Sequence, residues 1–302
     1  MFESFNIACN EVRGKIYLPE ISSDSYNNKR KYNADGSVNK NVISATPDGY
    51  NDSDDYNNCY KNPYNSCGQP SENATTHIRG GLIICHGIPS GEGGAPRSQG
   101  YEQLAQLFAE QGLATVIFNF SGTGVSGGNL DLRNWVEDLQ KIIDYYFDHF
   151  GYTPLLTIGF SAGAAVSVEV AAGDERVTAL ALGACPADFS FFWEHYTEEQ
   201  LWQWCHQLNF FRSPEKLPSR EEWVQRFLSL RPREHIHLLA PRPHLIIHGE
   251  EDDLVLLSHA HTLYSLAGAG KRLATFPHIG HQLRTSHQIQ KTHQSWVEEV
   301  LG

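Results

Sequence analysis

The sequence predicts an α/β fold, a mostly parallel central sheet with helices on both faces. Two observations predict it. Several short runs are apolar at nearly every position and end in turn residues, as strands buried on both faces require. These runs alternate with longer segments of helical periodicity, and alternation of that kind makes neighbouring strands parallel.

The elements follow in order. Residues 5–18, FNIACNEVRGKIYL, read as a strand pair ending at Pro19. From 22 to 77 the chain is dominated by Asn, Asp, Ser, Tyr and Gly without apolar periodicity, and it reads as a long polar surface insertion. GLIICHG at 81–87 is a buried strand. YEQLAQLFAEQG at 101–112 places Tyr101, Leu104, Ala105 and Phe108 on one helical face and stops at Gly112. ATVIFNF at 114–120 is a strand. Residues 132–150 repeat Trp135, Leu139, Ile142, Tyr146 and Phe150 along an amphipathic helix. LLTIGF at 155–160 is a strand, AGAAVSVEVAA at 162–172 a helix of small residues, and VTALALGAC at 177–185 a strand. RPHLIIHG at 242–249 and KRLATFPHIG at 271–280 are strands around a helix at Ser258–Ala267, and 287–301 is a closing helix. One aromatic-rich segment, 187–236, interrupts the alternation as a small cap after the sixth strand. No internal repeat is present, so 1–302 reads as a single domain.

Composition limits the function. The 302 residues carry a formal charge of −12, which argues against a nucleic-acid surface, because phosphate binding needs clustered Lys and Arg. No run of about 18 apolar residues exists, so no membrane span is expected. The first twenty residues lack a basic stretch followed by an apolar core, so no signal peptide is read there and a cytoplasmic location is expected. The six cysteines, Cys9, Cys59, Cys67, Cys85, Cys185 and Cys205, have no zinc-ribbon spacing and read as reduced thiols. Cys59 and Cys67 share one polar loop and are the one pair placed to bridge or to bind metal. The sequons at Asn51 and Asn73 carry no meaning without secretion, and the Asp/Asn cluster at 48–58 does not fit an EF-hand loop.

The motif G-x-S-x-G occurs twice, as GVSGG at 124–128 and GFSAG at 159–163. With 26 glycines the pattern alone is weak, and context decides. Ser161 directly follows a buried strand and precedes a helix rich in small residues. That is the setting of a nucleophile elbow: the strand holds the turn, and the helix N-terminus favours developing negative charge. Ser126 lies in a glycine-rich loop before the helix at 132, where it shapes the site or turns the chain. The same loop lacks the Lys and Ser/Thr of a phosphate loop.

A serine nucleophile needs a base and an acid that orients the base. The chain order for this architecture is serine, acid, histidine. HGEEDDLV at 248–255 offers Asp252 and Asp253, of which only one can face the base; Glu250 and Glu251 suit a solvated turn, and Asp188 is a further candidate. His281, after the last strand and Gly280, is the candidate base, with His278 its nearest competitor. The pairs His235/His237 and His259/His261 lack a third ligand at a recognisable spacing and read as surface residues, so no metal and no cofactor are expected. An oxyanion hole needs two backbone N–H groups. Ala162, after the nucleophile, is one candidate donor. Ile88, in the His86-Gly87 turn, is the other, with Pro89 unable to donate and His86 bracing the loop.

HGIP at 86–89, GFSAG at 159–163, HGEEDDLV at 248–255 and GHQL at 280–283 together resemble the α/β-hydrolase superfamily over roughly residues 80–302. The chain is similar to the esterase branch related to dienelactone hydrolases and to prolyl-oligopeptidase-type catalytic domains. The resemblance implies an α/β-hydrolase fold and a catalytic set of Ser161, Asp252 and His281, with the acid mapped onto Asp252 by the family's HGxxDxxV turn. FNFSGTGVSGG at 118–128 resembles the loop after the fourth strand, where Ser121 stands in place of the family's usual Arg. The implied activity is hydrolysis of small-molecule carboxylic esters through an acyl-enzyme on Ser161. A peptidase or amidase shares the same residues, although no propeller domain precedes the hydrolase region. A non-catalytic member that binds a ligand is the different-class reading. The aromatic cap reads either as a lid over an apolar pocket or as a packed cap or homodimer surface.

Deleting 22–77 is predicted to leave the triad chemistry intact, measured as ester hydrolysis by the folded deletion variant; complete loss of activity in that variant refutes it.

Overall fold

Eight strands form one sheet in the order β1-β2-β4-β3-β5-β6-β7-β8, in a computed structural model that describes residues 2–7, 12–19, 78–89 and 98–302. These residues all belong to one unit, Met1–Pro19 with Ile78–Gly302. The polar insertion at 22–77, with Cys59, Cys67, both sequons and the acidic cluster, lies outside the described residues.

The first strands are β1 (Phe2–Ile7) and β2 (Val12–Tyr17), an antiparallel pair as the pattern at 5–18 predicts. β2 also runs antiparallel to β4 (Leu113–Asn119), pairing Tyr17 with Thr115. β3 (Gly80–Cys85) is parallel to β4, with Gly80 opposite Leu113, and to β5 (Leu155–Phe160). β6 (Val177–Gly183), β7 (His244–Gly249) and β8 (Lys271–Phe276) extend the parallel part. The chain moves from β3 to one side for β4 and then to the other for β5. The ends of β3 and β5 therefore flank a switch point, where ligands bind in open α/β sheets.

Alternate strand residues feed different cores, as period-two side chains must. Leu82, Ile84, Leu156 and Ile158 pack with α1 (Ser98–Glu110) and with the closing helix 287–301. Ile83, Cys85 and Leu155 pack against α2 (Leu132–His149) and α3 (Ala162–Gly173) on the opposite face. Asp131 starts α2 by accepting the Arg133 and Asn134 N–H groups. That cap explains why the periodic stretch becomes helical at Leu132.

The cap contains α4 (Phe192–His195), α5 (Glu198–Gln207), α6 (Arg220–Leu228) and α7 (Pro232–His235). Phe189, Phe210, Trp223 and Phe227 are buried in it and join the same hydrophobic core as Leu130, Leu132 and Trp135. The cap is fastened to the loop after β4. The Leu130 N–H donates to the Phe210 carbonyl at 2.8 Å, and Trp223 Nε1 donates to the Leu130 carbonyl at 2.7 Å. Arg226 reaches Asp131, and Arg212 donates to the Gly124 and Ser126 carbonyls. α8 (Leu257–Leu266) and α9 (His287–Leu301) complete the helices. Among the described residues, no helix is long and apolar enough to cross a membrane.

His86 and His293 are buried in these cores, and burial lowers each to about 4 from an ordinary value of 6.5. Both rings are neutral in the folded chain at pH values where the unfolded chain binds protons. Their contribution is complete above about pH 6.5 and is lost as pH falls to about 4. Urea midpoints measured from pH 7 to 4.5 are expected to fall with acidification, and His293→Phe is expected to reduce that dependence by about one proton.

Candidate active site

Ser161 lies between β5 and α3 in a conformation that few side chains adopt, with φ +52° and ψ −124°. Such strain costs roughly 1–3 kcal/mol and persists only where neighbours enforce it. Here the Ser161 N–H donates to the Gly183 carbonyl at the end of β6 (2.8 Å), while the Ser161 carbonyl accepts from Ala164 and Ala165 as the helix begins. The small residues of the motif let α3 press onto the sheet. A Cβ at Gly163 would lie 2.3 Å from the His86 carbonyl oxygen and 2.5 Å from that of Cys85.

Ser161, His281 and Asp252 form one continuous chain of hydrogen bonds. The Ser161 hydroxyl donates to His281 Nε2 at 3.1 Å, and His281 Nδ1 donates to Asp252 Oδ2 at 2.8 Å. The carboxylate can only accept, which assigns the Nδ1 proton and leaves Nε2 free to take one from serine. Asp252 is buried, and its other oxygen accepts the Leu254 and Val255 N–H groups at 3.1 and 2.9 Å. Burial alone would raise its pKa. The hydrogen bond and charge of His281, with the Val255 N–H, outweigh burial and hold the carboxyl below its usual value.

The two turns carrying acid and base are joined backbone to backbone. Glu250 N–H donates to the Phe276 carbonyl at 2.9 Å and Glu251 N–H to the Ile279 carbonyl at 3.0 Å. Gly249 permits this approach, since a Cβ there would lie 2.1 Å from the Ile279 oxygen.

Ala162 follows the serine directly, and Ile88 belongs to a loop whose Gly87 lies against that serine. Ala162 is the first residue of α3, where N–H groups lack intrahelical acceptors. Ile88 follows Gly87, and a Cβ at Gly87 would stand 2.8 Å from Ser161 Cβ. The loop bearing Ile88 therefore runs against the serine itself. His86 braces it from below: Nε2 accepts the Phe120 N–H at 3.1 Å, which puts the ring proton on Nδ1, and Nδ1 donates to the Gly87 carbonyl at 2.7 Å. Burial first, and then the Arg284 charge, keep this ring neutral against the pull of the Gly87 bond.

The competing candidates are occupied elsewhere. The Ser126 hydroxyl donates to the Asn119 carbonyl at 2.6 Å and accepts the Arg13 N–H at 3.0 Å, tying its loop to β2 and β4. Asp253 is exposed. Asp188 accepts from Ser190 and Arg233 and fastens the root of the cap. His278 is 88% exposed and pairs with Glu251. His235 pairs with Glu169, His259 Nδ1 accepts the Ala187 N–H, and His237 and His261 are exposed. Ser121 binds the buried Asp138 through both its N–H and its hydroxyl. The described cysteines Cys85, Cys185 and Cys205 are free and buried, and burial pushes their thiols up, that of Cys85 to about 12. None is an activated thiolate. Among the features missed in the sequence are the contact of Gly87 with Ser161 and the pairing of Ser121 with Asp138. The glycine of HGIP is the one signal that pointed to the first.

A family model described as alpha/beta hydrolase fold matches residues 81–235. No curated protein sequence matches the chain. Among solved structures, the chain is similar to the esterase domain of a Rhodothermus marinus protein, at 15% identity over 100% of this chain and 99% of that one, with a TM-score of 0.58. It is similar to Est1E from Butyrivibrio proteoclasticus, at 15% identity over 99% and 97% of the two chains and a TM-score of 0.59. It is also similar to an alpha-beta serine hydrolase homologue from Coxiella burnetii, at 24% identity over 74% and 86% and a TM-score of 0.51. At these identities the likeness shows the fold.

Gly87→Ala is expected to push the serine off line while the core stays folded. The rate of Ser161 modification by a fluorophosphonate should fall by about 100-fold with little change in melting temperature, and an unchanged rate contradicts the close approach.

Proposed function

The chain belongs to the α/β-hydrolase fold family, and from that premise we propose that it is a serine hydrolase cleaving carboxylic esters through an acyl-enzyme on Ser161. The observation that carries this reading is the unbroken chain Ser161–His281–Asp252 at the switch point of the sheet. A serine hydroxyl alone is a weak nucleophile, and a base within hydrogen-bond reach removes that limit.

In this mechanism Ser161 Oγ attacks the ester carbonyl as His281 Nε2 takes its proton. Asp252 keeps His281 in the Nδ1–H tautomer and stabilises the imidazolium. The Ala162 and Ile88 N–H groups receive the developing oxyanion. His281 then protonates the leaving alcohol, which departs and leaves the acyl group on Ser161. Water, deprotonated by the same base, attacks the acyl-enzyme; the tetrahedral intermediate collapses, the acid leaves and the proton returns to serine. The lowered pKa of Asp252 suits its part, because the carboxylate stays ionised throughout. The preference for esters over amides draws support from fold neighbours described as esterases.

The test is labelling with a fluorophosphonate and mapping of the modified residue. Label is expected on Ser161, retained in Ser126→Ala and lost in Ser161→Ala and His281→Ala. Asp252→Asn should lower kcat on a p-nitrophenyl ester by about 10³- to 10⁴-fold. Label on Ser126, or none on the folded protein, overturns the assignment. Faster turnover of aminoacyl arylamides than of esters would replace esterase by amidase.

A further inference from the structure

We propose that His248 is a positioning residue for the acid of the triad, closing the Asp252 turn through a hydrogen bond from its Nε2–H to the Val255 carbonyl. The proposal rests on the serine-hydrolase reading above.

His248 stands near the carboxyl end of β7, four residues before Asp252, with no exposed surface. Its Nε2 lies 2.6 Å from the Val255 carbonyl oxygen and 3.4 Å from Asp252 Oδ2. A carbonyl only accepts, so Nε2 carries the proton. The other ring nitrogen, Nδ1, is buried without a partner, and a proton there would be a buried donor with no acceptor. The ring is thus the neutral Nε2–H tautomer. Three charged or titratable groups act on it: Asp252 on its own turn, His281 from the loop after β8, and His259 from α8. Burial leads in keeping it neutral, and both histidines add to that effect against the pull of Val255 and Asp252.

The geometry links this ring to the acid through one residue. Val255 is buried and uses both backbone groups in the turn: its N–H donates to Asp252 Oδ1, and its carbonyl accepts from His248. Holding the carbonyl therefore also holds the N–H that aims the carboxylate. With Oδ1 tied to Leu254 and Val255, Oδ2 is left to face His281, and the His248 N–H approaches that same oxygen from the strand side. A side chain that merely filled space at 248 would leave the Val255 carbonyl buried and unpaired, and the carboxylate would lose its fixed rotation.

Two polar variants separate positioning from filling. A glutamine amide nitrogen reaches the place of imidazole Nε2, whereas an asparagine amide falls short. With a short p-nitrophenyl ester, His248→Asn is expected to lower kcat by about 10- to 100-fold with KM within about 3-fold, and His248→Gln to recover most of the loss. Nitrogen-15 NMR of the wild-type protein is expected to show His248 as the neutral Nε2–H tautomer from pH 8 to 6. Equal kcat in His248→Asn and wild type, equal loss in both variants, or a ring protonated on Nδ1 over this range overturns the proposal. Should either variant fail to fold, the NMR measurement decides alone. Absence of both fluorophosphonate label and ester turnover in the wild type defeats the serine-hydrolase reading instead, and leaves the tautomer result to judge the hydrogen bond.

Discussion

Ser161 holds its hydroxyl in line with His281 because backbones at the carboxyl end of the sheet come closer together than side chains allow. Helix α3 meets the end of β3 where Gly163 faces the carbonyls of Cys85 and His86, and Gly87 then lies against the serine. The strained dihedrals of Ser161 are a consequence of this crowding, and its N–H bond to Gly183 is what opposes their relaxation. Native packing transmits displacement with little damping, so a single methyl group at this junction acts on the reacting atom directly.

The acid and base halves of the site obey the same logic with different means. Their turns follow adjacent strands, β7 and β8, and two backbone hydrogen bonds join them before any side chain is considered. Side-chain chemistry then sets the charges. Asp252 is ionised in a buried place because His281 and backbone N–H groups receive its charge, whereas His86 is neutral because burial outweighs its one favourable bond. The site therefore holds one buried anion, Asp252, and two buried neutral rings, His86 and His248, so burial adds no positive charge beside His281.

The sheet and its helices were legible because each buried strand is apolar throughout and each amphipathic helix carries its own period. Ser161 was legible for a related reason: strand, glycine, serine and small-residue helix are consecutive in the chain. Ser126 satisfies the same five-residue pattern, and only its loop context argued against it; its hydroxyl proves to be spent on Asn119 and Arg13. Asp252 and Asp253 could not be separated by spacing, since neighbours in a turn point in opposite directions, and the family resemblance rather than the pattern chose between them. The roles of Asp188, Ser121 and His248 were hidden because their partners Arg233, Asp138 and Val255 lie forty-five, seventeen and seven positions away, and no local rule reports such contacts. The cap showed the same limit. Its aromatic residues predicted burial but not what they would cover, and they both contact one another and join the main core.

The registers of β2 and β3 against β4 have a consequence for how this gene product tolerates change. β2 runs antiparallel to β4 and ends beside Thr115; β3 runs parallel to β4 and begins beside Leu113. The chain thus leaves at Pro19 and returns at Ile78 on the same rim of the sheet, the rim opposite Ser161. The two ends are separated by two strand spacings, about 10 Å. A gap of that width can be closed by a few residues or by many, and each doubling of length adds only about 0.6 kcal/mol of closure entropy. The length of chain that joins these two ends can therefore vary at this rim at little cost in closure entropy, and a reporter can be grafted there.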